Sequence, residues 1–123
     1  ALGTPISEFQ VKPKQPYFER EVFDLHLVLP KREKVYANIN QRFEDMVKNG
    51  AIEEVQALLE KGYTERCPIM KSHGVPEIIA YLKGIMKLEE AIEIAQTKTR
   101  QYAKRQYSWA RNKLPLKGRA IDI

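Results

Sequence analysis

Residues 97–113, TKTRQYAKRQYSWARNK, form the C-terminal half of the longest helical pattern in the chain. This stretch is strongly basic, and no acidic residue lies between Glu93 and Asp122. Residues three and four apart share one face of a helix, so the pattern predicts a cationic stripe of Arg100, Lys104, Tyr107 or Ser108, and Arg111. The other faces are expected to carry residues whose apolar members dock on a core: Leu88, Ile92, Ala95, Tyr102, Ala103, Gln106 and Trp109.

Two functions fit this basic helix. Its cations have neighbours that can hydrogen-bond or stack, namely Gln101, Gln106, Tyr107 and Trp109, and this chemistry suits a phosphate-rich partner. Alternatively, it is a solvated surface helix whose cations interact favourably with the negative end of the helix dipole. Composition alone leaves both open.

The composition is that of one small soluble domain. The chain has 123 residues, of which 43% are apolar and 30% charged, so there is room for a modest core. The net charge of +5 is concentrated toward the C-terminal end. The single cysteine, Cys67, excludes an internal disulfide and fits a reducing, cytoplasmic compartment. No apolar run is long enough to span a bilayer, and no secretory signal opens the chain.

The N-terminal region is predicted to hold one strand. Residues 4–8 look like the start of a short helix, and the proline-rich residues 12–16 then favour extended backbone. Residues 22–29, VFDLHLVL, alternate as a strand does, but we find no second strand to pair with it. This strand is therefore expected to pair between copies or with sequence that is absent, and with the missing initiator methionine it favours a fragment.

Amphipathic helices are predicted over most of the remaining chain. They cover residues 31–49, residues 52–61, a segment from Pro76 to Gly84, and residues 87–112. Gly50 and Gly62 are expected to end the first two helices in the left-handed conformation. Core positions are expected at Ile39, Phe43, Leu58 and Leu59. The chain then reads as a single unit over residues 1–123: linker 1–21, strand 22–29, helical region 31–112 and a tail, 113–123, that frays or acts as a linker.

The loop before the third helix is a second candidate site. Helix N-terminal amides attract anions, and Lys71 and His73 add positive character there. Ser72 is a candidate capping hydroxyl, and Gly74 could let a ligand or another backbone come close. A simple tight turn is the alternative.

The residues alone show no catalytic centre. His26, Cys67 and His73 lack a recognisable metal spacing. None of the six glycines is followed by lysine, so no phosphate-cradling loop is present. The acidic pairs Glu53-Glu54 and Glu89-Glu90 are typical of helix starts. These observations favour a helical nucleic-acid-contacting module without its own active site.

The order of the segments resembles the C-terminal part of the bacterial tRNA dimethylallyltransferases, also called isopentenyl-diphosphate:tRNA transferases. A strand ending in LP is followed by RE, INQRF, KNGAIEEVQALLEKGY, YLKG, LEEAI and TRQYAKRQ. The last string, with Trp109 and Arg111 after it, is the most specific, and the resemblance covers about residues 3–113. Many members have an aromatic residue after the glycine of the 71–77 loop, where this chain has Val75-Pro76.

The resemblance implies a mainly α fold of about four helices, with a short N-terminal strand that belongs to the α/β P-loop-like core of a full-length enzyme. It implies transfer of a dimethylallyl group from dimethylallyl diphosphate to the exocyclic amine of the tRNA adenine next to the anticodon, with Mg²⁺. The phosphate loop and catalytic aspartate of the family lie upstream, so this chain is expected to hold no catalytic residue or cofactor and to be inactive alone.

The resemblance also implies which residues meet tRNA. Phosphate contacts are expected from Arg100, Lys104, Arg105 and Arg111, and neutral hydrogen bonds from Gln101 and Gln106. Trp109 could equally stack on a base or pack in a core. The tRNA-binding set is Lys71, Ser72, His73, Gly74, Val75, Pro76, Thr99, Arg100, Gln101, Lys104, Arg105, Gln106, Trp109 and Arg111.

Two rival functions stay open. The chain could be a free-standing helical RNA-binding module without catalysis, or an interaction protein whose basic face meets an acidic protein. The unpaired strand favours the enzyme fragment over both rivals, and it could mediate self-association of the fragment.

Overall fold

The computed structural model describes Glu8, residues 27–64, residues 66–113 and the backbone of residues 121–122. Within this part of the chain the structure is mainly helical, as predicted. The elements are β1 (Val28–Leu29), α1 (Arg32–Lys48), α2 (Ala51–Glu60), α3 (Val75–Leu82), α4 (Leu88–Lys113) and β2 (Ile121–Asp122). The predicted 12–16 linker lies outside the described residues, as does the predicted 4–8 helix apart from Glu8, which is helical.

The two strands pair with each other in parallel. Val28 lies opposite Ile121, and Leu29 lies opposite Asp122. The prediction that the strand has no partner within the chain was therefore wrong, because the tail supplies one. The expected strand is also shorter where it is described, since Leu27 is not part of it and residues 22–26 lie outside the described residues.

A glycine allows α1 and α2 to follow one another with almost no loop. Gly50 has a φ of 101°, in the left-handed region that glycine enters without a Cβ clash. Its carbonyl accepts the backbone N–H of Glu54 at 3.0 Å, so the residue that follows the C-cap of α1, Asn49, is already the N-cap of α2. The left-handed conformation predicted for Gly50 is confirmed.

One cluster of the hydrophobic core lies between α2 and α3. Val55, Met70, Ile78 and Ile79 are buried together, and Leu58 and Leu59 pack against them. Met70 belongs to a short 3₁₀ helix, Pro68–Lys71, that places its side chain in the core with 2% of its surface exposed. The sequence analysis placed the start of this segment in a loop and did not anticipate the helical turn.

Helix α4 is held by α1 on one side and α3 on another. Gln96 is buried and donates to the carbonyl of Asn40 at 3.1 Å, and the hydroxyl of Tyr107 donates to the carbonyl of Pro30 at 2.6 Å. Gln96 contacts Asn40, whereas Tyr107, later in α4, contacts Pro30, which precedes α1. The two helices therefore run antiparallel. On its other side, Lys98 of α4 meets Glu77 of α3.

The faces of α4 differ from the predicted ones beyond residue 98. Tyr107 is buried rather than part of the exposed stripe, whereas Tyr102 and Trp109 are 45% and 59% exposed. Beyond its contact with α3, the C-terminal half of α4 is covered on the α1 side only, in the described part of the chain.

Phe43 fixes the turn that precedes α3. Its ring is 7% exposed and lies against Gly74, which has a φ of 92°. A methyl group on Gly74 would overlap Cε2 of Phe43 and come within 3.0 Å of its Cζ.

We predict that Gly74→Ala destabilises the protein more than Gly62→Ala. Both changes place alanine in left-handed backbone, at about 1–2 kcal/mol, since Gly62 has a φ of 78°. Only the Gly74 change also displaces the Phe43 ring, which adds about 1–3 kcal/mol, whereas no atom lies within 4 Å of a Cβ at Gly62. Urea unfolding of the two variants measures the difference, and equal losses would contradict the packing argument.

Candidate nucleic-acid interface

The segment 71–76, referred to below as the 71–76 turn, begins at the last residue of the 3₁₀ helix, makes a tight turn at residues 72–74 and ends in the first two residues of α3. Gly74 is the N-cap, and no side chain caps the helix, so the predicted capping role of the Ser72 hydroxyl was wrong. Ser72 instead accepts the backbone N–H of Val75 through its carbonyl, at 3.0 Å. The side chains of Lys71, Ser72, His73 and Pro76 are exposed, Val75 is half-buried and Gly74 is buried.

The N-terminus of α3 has little capacity to bind an anion through its amides. The N–H of Val75 is already bonded to Ser72, and Pro76 at the second helical position has no N–H. An anion here would therefore depend on the side chains of Lys71 and His73 more than on the helix end.

Helix α4 presents polar and cationic side chains to solvent over the predicted segment. Gln101, Lys104, Arg105, Gln106 and Arg111 are all exposed. The guanidinium of Arg105 lies over the ring of Tyr102, 5.8 Å from its centroid, which is within the range of a cation–π contact.

Arg100 differs from these cations because it is engaged inside the protein. Its guanidinium donates to Oδ1 of Asn40 on α1, and to Oγ1 of Thr97 at 2.7 Å. Thr99 is also turned inward, since its hydroxyl donates to the carbonyl of Ala95 at 2.8 Å. Both residues are half-buried, so their predicted tRNA contacts remain predictions.

The two predicted segments meet at one pair of rings. The centroids of His73, from the turn, and Tyr102, from α4, are 5.2 Å apart, and the ring planes are inclined by 57°. Tyr102 was expected to dock on the core and was absent from the predicted set. The sequence does contain a signal for the exposed position of Tyr102, because positions 98, 102, 105 and 109 share one face of a helix and this face carries the cations Lys98 and Arg105.

A cavity of about 230 Å³ lies beside this contact. The cavity is mostly apolar and lies between α1, α4 and the turn. Its lining residues are Ile39, Arg42, Phe43, Met46, His73 and Thr99. His73 therefore borders both the cavity and the exposed ring of Tyr102.

An ion pair locks the turn and α3 to α4. Nζ of Lys98 lies 2.6 Å from Oε1 of Glu77, whose side chain is 4% exposed, whereas that of Lys98 is 58% exposed. A carboxylate this deeply buried requires a partner. Lys98 provides it, and this cation is thus partly committed to the fold.

The described residues do not fit a metal centre. Among them, no three His, Cys, Asp or Glu side chains are grouped closely enough to hold an ion. Cys67 is half-buried at the edge of the core and His73 is exposed, while His26 lies outside the described part of the chain. In the same residues, no helix is both long enough and apolar enough to cross a membrane.

Comparison with known proteins identifies the family. The model of the IPP transferase family matches residues 1–113. The chain is 51% identical over 113 residues to the tRNA dimethylallyltransferase of Wolbachia pipientis wMel, and 46% identical over 114 residues to that of Ehrlichia ruminantium. Each match covers 92% of this chain and 37% of the relative.

Solved structures agree with this match. The tRNA delta(2)-isopentenylpyrophosphate transferase of Staphylococcus epidermidis superposes with a TM-score of 0.70 at 34% identity, over 80% of this chain and 32% of that one. The full-length tRNA isopentenylpyrophosphate transferase of Bacillus halodurans gives 0.69 at 34% identity, over 82% and 33%. The chain belongs to the IPP transferase family, and it spans little more than a third of the length of the curated relatives that it matches.

We predict that Lys98→Met lowers stability by about 1–2 kcal/mol, because it leaves the buried carboxylate of Glu77 without its partner. Lys104→Met removes an exposed lysine of the same helix and is expected to change stability by less than about 0.5 kcal/mol. In a Glu77→Gln background, the Lys98→Met change should lose most of its effect. Chemical denaturation of the unchanged protein, the three single variants and the Lys98→Met/Glu77→Gln double variant measures the coupling between Lys98 and Glu77. Additive losses of stability would contradict the ion-pair argument.

Proposed function

We propose that this chain forms the tRNA-contacting part of a tRNA dimethylallyltransferase. The observation that supports the proposal best is the meeting of the 71–76 turn with the exposed, cationic side of α4 at His73 and Tyr102. The relatives are tRNA dimethylallyltransferases, which supports tRNA as the substrate class, and the absence of acidic residues from residues 94–121 supplies the matching charge.

The reaction would join the adenine of the tRNA to the dimethylallyl group. The exocyclic nitrogen of the adenine next to the anticodon forms a bond to the first carbon of dimethylallyl diphosphate. The bond from that carbon to the diphosphate oxygen breaks, diphosphate leaves, and the nitrogen loses a proton. A base that reacts in this way has to leave its stack to reach the co-substrate.

The chemical groups for this step would come from outside the described residues. The family resemblance implies a phosphate loop and a catalytic aspartate upstream of this chain. Among residues 27–64 and 66–113, no three His, Cys, Asp or Glu side chains are grouped closely enough to hold the Mg²⁺ that it also implies. This part of the enzyme instead binds and orients the RNA.

Within the interface, Lys104 and Arg105 would neutralise phosphates. Guanidinium groups suit phosphate because their donors form a planar fork. Gln101 and Gln106 lie exposed beside them and would add neutral hydrogen bonds. Arg100 would act indirectly, by holding α4 against Asn40.

Incubation of the full-length protein with dimethylallyl diphosphate, Mg²⁺ and unmodified tRNA tests the proposal. Appearance of the dimethylallyl group on the adenine beside the anticodon is the expected result. Salt-dependent tRNA binding without transfer would support the free-standing RNA-binding module instead. Absence of any tRNA binding would overturn the proposal and favour an acidic protein partner.

We predict that Lys104→Gln weakens tRNA binding and reduces the slope of log K against log salt concentration by about one unit, because one phosphate contact is lost. Lys61→Gln is the matched control, since Lys61 is an exposed lysine at the C-terminal end of α2, outside the interface. Affinities measured between low and moderate salt give both slopes. If Lys104→Gln weakened binding by the same factor at every salt concentration, Lys104 would not be a phosphate contact.

A further inference from the structure

We infer that Tyr102, flanked by His73 and Arg105, is a stacking site for one unpaired base of the bound RNA. This inference rests on the proposed function and extends it to a specific contact. It names a side chain that would bind the anticodon loop of the tRNA through a base rather than through a phosphate.

The arrangement around Tyr102 suits a flat aromatic ligand. The ring is 45% exposed. His73 contacts it at a centroid distance of 5.2 Å and a tilt of 57°, and Arg105 lies 5.8 Å from its centroid. Three groups that can stack or make cation–π contacts therefore converge from two segments of the chain at a single exposed position.

The ring is held in place by the fold around it. Tyr102 lies one helical turn beyond Lys98, whose ion pair with Glu77 fixes α4 against α3. His73 precedes Gly74, which packs closely against the Phe43 ring. The two segments that carry the aromatic contact are thus each held by packing or by an ion pair elsewhere in the fold.

The positive charge around Tyr102 favours a nucleic-acid base over an apolar protein segment as the ligand of this site. Between Glu93 and the end of α4 the sequence contains Lys98, Arg100, Lys104, Arg105, Arg111 and Lys113, and no acidic residue. An exposed aromatic ring in such surroundings is the arrangement by which proteins bind single-stranded nucleic acid, with cations along the backbone and rings against the bases. An apolar protein segment would gain nothing from the cations, and it would have to desolvate them.

Tyr102→Leu and Tyr102→Phe in the full-length protein separate stacking from packing. Leucine keeps an apolar side chain but has no aromatic face, so we expect the Kd for tRNA to rise about tenfold. Phenylalanine keeps the face and should bind as the unchanged protein does. Because no phosphate contact is lost, the salt slope of the leucine variant should equal that of the unchanged protein, in contrast to Lys104→Gln.

Removal of the base from the RNA provides the second arm. The probes are tRNAs in which one nucleotide of the anticodon loop at a time lacks its base. For one position, the unchanged protein and Tyr102→Leu should bind the abasic tRNA equally, because the stacking partner is already missing. If the leucine variant stays tenfold weaker on every abasic tRNA, the ring does not stack on a loop base and the inference is overturned.

Two controls separate failure of the inference from failure of the proposed function. If the unchanged protein neither binds tRNA nor transfers the dimethylallyl group, the proposed function itself fails. If it does both while Tyr102→Leu binds tRNA normally, only the stacking site is wrong. A lower thermal unfolding midpoint for Tyr102→Leu with unchanged tRNA affinity would show that the ring packs against another part of the enzyme, and it would also overturn the inference.

Discussion

The clamping of α4 between α1 and α3 is the constraint on which the rest of the structure depends. Two buried polar side chains define it, because Gln96 must bond to Asn40 and Glu77 must bond to Lys98. Such groups are costly to bury without partners, and among the described residues no buried side-chain polar atom lacks one. Shape alone would allow α4 to slide along its neighbours, whereas these two bonds fix its register and rotation.

This register decides which side chains of α4 remain available to a partner. Arg100 is turned toward Asn40, and Tyr107 toward Pro30, so both are engaged with the α1 side. Tyr102, Arg105 and Trp109 are exposed instead. The 71–76 turn adds His73 to this exposed surface, because the ring of His73 contacts that of Tyr102.

Sequence reasoning predicted the features that are encoded locally. The bounds of α1 and α2, the role of Gly50 between them and the position of the acidic residues at the start of α2 and α4 follow from periodicity and capping within a few residues. It missed the pairing of β1 with β2, because a strand of two residues such as β2 is too short to show a period. It also misplaced Tyr102, since the sequence of a helix does not show which of its faces the neighbouring helices cover.

A count of basic residues therefore overstates the contact surface of such a helix. In the sequence, Lys98, Arg100 and Lys104 are equivalent cations within two turns. In the structure, Lys98 neutralises a buried carboxylate and Arg100 bonds to an asparagine of another helix, whereas Lys104 is exposed. Under the proposed function, substitution of the first two would disturb RNA binding through the fold, and only the third would report on phosphate directly. Salt dependence separates these cases, because loss of packing is insensitive to counterion release and loss of a phosphate contact is not.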